Sequence, residues 1–139
     1  SVSWLETSPD SFINKFHWIF SKGYALRWLN KKMRYMHKDI FPDLERVDHI
    51  NHRRLDYRRV NLRPCTISQN GANRLIGINN TSGFKGVDFH KSVNKWRARI
   101  QVENRRMELG HYEDTLSAAV SYNRAAIKYF GEYAKINQI

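Results

Sequence analysis

The sequence predicts an α+β protein of two modules: a strand, loop, strand, helix unit in its first part and a three-stranded antiparallel sheet packed on one helix in its second. Three observations carry this. Short runs rich in Tyr, Trp, Leu and Ile alternate with polar positions and are separated by turn formers such as Lys22-Gly23 and Asn30-Lys31-Lys32. Apolar residues over 116–130 recur at i, i+3, i+4 and i+7, a helical period. Asn79-Asn80-Thr81-Ser82-Gly83 places five consecutive turn formers between the two patterned regions, so the expected divisions are 1–78, a linker at 79–82, and 83–139.

The elements follow in order. Residues 4–20 are mixed and aromatic-rich, with Ser8-Pro9-Asp10 marking a turn or helix start. HWIFS, YALRWL and MRYMH, from His17 onward, read as an antiparallel meander. A short strand at 47–50 leads into a basic loop that runs through Arg59, and a second strand is expected around 60–63, closed by Pro64. Thr66 is placed to cap a helix over 67–75, because its hydroxyl can accept from the free amides of the first turn. Beyond the linker, FKGVDFH, KWRARIQV and RRMELGHY have the spacing of three hairpin-linked strands. The last helix should turn Leu116, Ala119, Val120, Asn123, Ala126, Ile127 and Phe130 to the sheet, and Ser117, Ser121, Arg124 and Lys128 to water, before Gly131 stops it. One face of that sheet is then left exposed.

Charge indicates what kind of partner suits it. The 139 residues hold 24 Lys and Arg against 13 Asp and Glu, a formal charge of +11, and both parts are basic: 14 against 7 through residue 80, and 10 against 6 beyond it. A folded, aromatic-containing, evenly basic chain favours a polyanion as partner, nucleic acid before membrane. The one cysteine, Cys65, permits no intramolecular disulfide and no zinc-finger spacing, which points to an intracellular protein. No apolar run of about 18 residues is present, and SVSWLETSPD lacks a signal-peptide layout, so no membrane partner is expected.

Residues 48–70 hold a set that a core has no use for, since buried polar groups are costly unless paired. Hydrolysis of a phosphodiester needs a base for water, a cation against the phosphate charge, and groups that hold both in line. His49 can be the base, because imidazole titrates near neutrality. Asp48 and the amide oxygen of Asn70 offer hard ligands suited to Mg²⁺ or Mn²⁺. Arg53, Arg54, Arg58, Arg59 and Arg63 read as phosphate contacts, the alternative being a solvated loop face. His17, His37 and His52 have no partner pattern and are expected to be structural or phosphate-facing; Cys65 is most simply a small buried residue.

The run D-H-I-N, L-D-x-R-x-x-N-L-R and S-Q-N over 48–70 resembles the HNH endonucleases of phages and mobile introns, in which the third signature position is Asn. The resemblance implies a ββα-metal (His-Me finger) core at about 46–76 with one divalent ion, His49 as general base, Asp48 and Asn70 as metal ligands, and Asn61 as the residue that orients or polarises His49. YALRWLNKKMRYMHKDIF resembles the family's upstream segment, where a Tyr-Met-His run enters a helix, so the likeness covers about 17–76. Two positions depart from the pattern: Asn51-His52 replaces a common Asn-Gly, and Asp56-Tyr57-Arg58 replaces Asp-Asn-Arg.

Phe84-Lys85-Gly86-Val87, Lys95 to Ile100, Leu109 to Tyr112 and AAVSYNRAAIKYFGEYAKIN resemble the apetala-two/ethylene-response-factor DNA-binding domain. In that family the sheet enters the major groove. By position this implies Lys85, Trp96, Arg97, Arg99, Arg105 and Arg106 as DNA contacts, although a core role for Trp96 stands at even weight. Asp88 and Glu108 occupy positions that are often Arg and Trp in plant members, so the plant target sequence is not transferred.

The expected function is therefore a metal-dependent DNA endonuclease of homing type, from a phage or mobile element, acting in the host cytoplasm. It would use one Mg²⁺ or Mn²⁺ and double-stranded DNA, nick as a monomer, and need a dimer or two events to cut both strands. The alternative is a DNA-binding regulator or architectural protein with a non-cleaving HNH unit; an RNA-binding or ribosome-associated protein fits the charge but not the site.

Overall fold

A computed structural model describes residues 15–139, so the turn expected at Ser8-Pro9-Asp10 lies outside the described residues. The described chain is mixed α and β, with three small antiparallel sheets and three α-helices. The described residues form two compact units, one ending at Cys65 and the other running from Thr66 to Ile139.

In the first unit β1 (Ile19–Ser21), β2 (Tyr24–Leu29) and β3 (Lys32–Tyr35) make the expected meander. Both turns use left-handed backbone, at Lys22 and Gly23 and at Asn30 and Lys31, which matches the right-handed twist of two-residue hairpins. α1 (Met36–Ile40) follows directly and takes Met36 and His37 out of the third expected strand. Asp39 on α1 fixes the helix to the sheet by accepting from Arg27 at 2.6 and 3.2 Å and from Arg34 at 2.7 Å. β4 (Val47–His49) then pairs antiparallel with β5 (Leu62–Pro64), with Asp48 opposite Arg63 and His49 opposite Leu62.

The second strand therefore begins later than the pattern suggested. Residues Arg59–Asn61 wind into a 3-10 turn, closed by Asn61 N–H on Arg58 C=O at 2.9 Å. Ala25, Met36, Ile40, Val47, Tyr57 and Leu62 form the core of this unit.

The second unit starts with α2 (Ile67–Ala72). Thr66 caps it as expected: its hydroxyl accepts from Gln69 N–H at 3.1 Å, and the Gln69 side chain accepts from Thr66 N–H at 2.9 Å. The helix stops at Ala72, short of the expected Leu75, where the C=O of Ala72 accepts from the Lys85 ammonium and from Lys135 N–H. Ala72 is buried with Ile100, Tyr122, Ala126 and Phe130. Thus α2, grouped by sequence with the preceding strands, is packed into the second unit. The stretch 79–83 is a hydrogen-bonded turn of the same unit: Asn80 donates to Phe84 C=O at 2.8 Å and accepts from Gly83 N–H at 2.8 Å.

β6 (Val87–His90), β7 (Lys95–Val102) and β8 (Arg105–Tyr112) form the expected three-stranded sheet, and α3 (Thr115–Phe130) packs on it. Gly86 is required where helix meets sheet. It sits at φ 76°, and a Cβ there would lie 2.0 Å from the Tyr122 ring. The helix ends at Gly131, left-handed at φ 52° as expected.

The buried face of α3 matches the expectation at Ala119, Ala126 and Phe130 and differs from it elsewhere. Ala118, Ala119, Tyr122, Ala126 and Phe130 are buried, while Leu116 and Ile127 are 49% and 56% exposed. The close approach that Gly86 permits favours small residues and one tyrosine at the contact over the bulkier Leu and Ile.

Candidate active site and nucleic-acid interface

Asp48 and His49 lie at the end of β4, both buried, and Asn61 is buried at the end of the 3-10 turn that leads into β5. The strand pairing brings these three together in the first unit. Asn70 is half-buried on α2, which belongs to the second.

The imidazole of His49 meets the Tyr57 ring edge-on, with centroids 5.1 Å apart. Burial pushes its proton affinity below the ordinary histidine range, against the opposing pull of the Asp48 and Asp56 carboxylates. The ring is thus held in its neutral, proton-accepting form at neutral pH.

The Asn61 side chain is bonded into the loop that follows His49. Its Oδ1 accepts from Asn51 N–H at 2.9 Å and its Nδ2 donates to Asp56 C=O at 2.8 Å, so its amide closes the loop that leaves His49. Its C=O also accepts from Ile50 N–H at 2.9 Å, next in chain to His49. Through these bonds Asn61 ties the backbone next to His49 to the second strand. The two departures from the family pattern lie in the same loop. Asn51 donates to Asp56 at 2.7 Å, His52 adopts φ 64° where the family commonly has Gly, and Tyr57 becomes a core residue only 2% exposed, with its hydroxyl accepting from Ala25 N–H at 3.2 Å.

The loop arginines divide by partner. Arg63 donates to Asp48 at 2.9 Å across the strand pair, and Arg58 forms a two-pronged pair with Asp56 at 2.7 and 2.6 Å that holds its carboxyl down at about 2. Arg54 lies over the Tyr24 ring and Arg59 over Phe41, at 5.1 and 5.0 Å. Arg53, Arg54, Arg58 and Arg59 all remain exposed.

Two further side chains matter here that spacing did not single out. Tyr57 supports His49, and His37, half-buried beneath Tyr35 with ring centroids 5.5 Å apart, is pushed down to about 4, chiefly by burial and then by Lys38 and His49. Neither has a signal in local sequence, because each contact is made by the fold. Burial pushes the Cys65 thiol up to about 11, consistent with an inert, half-buried residue.

Donor chemistry can be tested against a divalent ion. Asp48 presents a buried carboxylate that accepts from Arg63, and an ionised carboxylate offers lone pairs on both oxygens. Among the described residues no group of three or more His, Cys, Asp or Glu gathers as a metal cage. This donor set fits an ion that keeps most of its waters, as Mg²⁺ does, better than a closed zinc site.

On the second unit the sheet's outer face carries the candidate DNA contacts unequally. Asp88 accepts from Arg97 at 2.7 Å and from Arg99 at 2.9 Å, and these guanidiniums outweigh the effect of burial to hold its carboxyl below the usual range. Trp96 is on the other side, half-buried against Val87, Ala98, Ala118 and Ala119 and edge-on to Phe89 at 5.1 Å, which gives it the core role. Lys85 is likewise turned inward, donating to Ala72 C=O and to Arg74 C=O at 2.6 Å, and burial pushes it down to about 8. Arg105 and Arg106 stand exposed at the β7–β8 hairpin.

Comparison with known proteins assigns the family. Over 136 aligned positions the chain is 31% identical to uncharacterized HNH endonuclease L560 of Acanthamoeba polyphaga mimivirus, covering 91% of this chain and 70% of the relative. The chain belongs to the HNH endonuclease family. This HNH chain also matches APETALA2-like protein 2 of Oryza sativa subsp. indica, 35% identical over 57 residues, and AP2-like ethylene-responsive transcription factor TOE2 of Arabidopsis thaliana, 33% identical over the same length. Those matches cover 41% of the HNH chain and only 13% and 12% of the plant proteins. No protein-family model and no solved structure matches it.

Proposed function

We propose that the HNH chain is a metal-dependent DNA endonuclease in which residues of the first unit hydrolyse the phosphodiester and the second unit binds duplex DNA. The observation that carries this reading is the pairing, on one short strand, of a buried neutral imidazole with a buried carboxylate, inside a loop edged by exposed arginines. His49 takes the proton from the attacking water, and Tyr57 and the Asn61-closed loop fix its direction. Asp48 is the ligand that would hold the ion, and Asn70 is kept as a second donor on the motif's spacing alone. Bound there, a divalent ion offsets charge on the phosphate and the leaving oxygen. Arg53, Arg54 and Arg59 grip the phosphate backbone. On the second unit, Arg106 and Arg105 are the foremost contacts, while Arg97 and Arg99 engage DNA only in competition with Asp88.

The plant matches support duplex DNA as partner, and the mimiviral relative supports a viral setting; the homing role rests on the motif resemblance alone. One catalytic set per chain favours nicking by a monomer. Incubation of supercoiled plasmid with Mg²⁺ or Mn²⁺ should convert it to open circles, and excess chelator should stop this. Equal conversion with and without chelator would remove the metal from the reading.

A further inference from the structure

The face of the first unit's three-stranded sheet that lies opposite Ala25 buries Leu26 but leaves large apolar side chains around it exposed. Ala25 points to the core, so by strand alternation Tyr24, Trp28, Met33 and Tyr35 share the opposite face. Trp28 is 62% exposed and pairs across the hairpin with Met33, itself 40% exposed. Such an aromatic patch has a cost in water unless something covers it.

Its surroundings say what. Residues 15–38 contain seven Lys and Arg and no Asp or Glu. Lys31 and Lys32 stand exposed at the β2–β3 turn beside Trp28, with no acidic partner among the described residues. At the other end of the same face, Arg54 lies over the Tyr24 ring and donates to Lys22 C=O at 3.4 Å, which joins the arginine loop after His49 to the sheet in one cationic surface. A second copy of the chain, also at +11, would be repelled from such a surface.

We propose that the β2–β3 hairpin is an additional duplex-DNA contact, in which Lys31 and Lys32 meet phosphates and Trp28 presses as an apolar wedge against a base step. Apolar side chains flanked by cations act in this way in the minor groove, where they partly unstack a step. The inference rests on the reading of the chain as DNA-binding, but not on cleavage.

The test measures binding of the full chain to a fluorescent mixed-sequence duplex by anisotropy, in chelator so that no cutting intervenes, across a salt series. Lys31→Gln/Lys32→Gln should lower the slope of log affinity against log salt by about 2, near 0.9 per phosphate contact. Trp28→Ala should weaken binding about 5- to 100-fold with the parent's slope, and Trp28→Phe should restore most of the loss. Thermal melting of each variant checks the fold, and the lysine pair, being fully on the surface, reads the proposal even if Trp28→Ala is destabilised. Parental affinity and slope in both sets would overturn it, as would a parent dimer that Trp28→Ala dissolves in sedimentation. A parent that shows these losses yet never nicks plasmid with Mg²⁺ would sink the nuclease reading and leave the hairpin contact standing.

Discussion

His49, Tyr57 and His37 form a group in which one imidazole does the proposed chemistry and its neighbours set its state. Burial keeps both histidines neutral, and for His37 the sign of the effect on stability can be worked out. Its proton affinity is about 4 in the folded chain against about 6.5 when unfolded, so the unfolded chain binds more protons between those values. Stability is therefore full above pH 6.5 and falls as pH drops toward 4. Allowing for solvent screening of a half-buried ring, the loss is about 1–2 kcal/mol. Melting temperature followed from pH 7 to 4 should decline less steeply in His37→Asn than in the parent. The slope should not vanish, because His49 contributes with the same sign. Identical slopes would contradict this. Asp48, His49 and Asn61 could be picked out from the sequence because a short motif sets their spacing. Tyr57 and His37 could not, since their part depends on tertiary contact, and neither could Asn61's hydrogen bonds to Asn51 and Asp56, which the loop's folding creates.

Among the elements, hairpins and caps were the most legible parts. Two-residue turns, the Thr66 capping box and the Gly131 stop follow from local chemistry alone. The phase of α3 was less so. Periodicity found the helix, but the sheet receives its alanines and Tyr122 instead of Leu116 and Ile127, because the close packing at Gly86 has no counterpart in a hydrophobic pattern. Gly86→Ala should then place a methyl inside the Tyr122 ring at a left-handed backbone position, at a cost of at least about 3 kcal/mol. Urea unfolding monitored by circular dichroism reads this. A variant as stable as its parent would show that helix and sheet can separate freely.

At the scale of the whole molecule, composition alone indicated a polyanion partner, and the basic excess is found on both units. The organisation was only partly legible. The turn formers at 79–83 looked like a division, yet their hydrogen bonds tie them into the second unit, and α2 is held there by Ala72 and by the inward Lys85. Turn chemistry marks where a chain bends, not which body it bends within. A cleavage centre on β4 and a sheet-based DNA reader make one proposed enzyme, whose central claim is that His49 is the base. The most direct measurement compares His49→Ala with the parent on supercoiled plasmid in Mg²⁺ or Mn²⁺, with duplex binding measured on the same preparations. Loss of nicking by at least about 100-fold with binding retained is the predicted result; nicking at the parent's rate in the variant would contradict it.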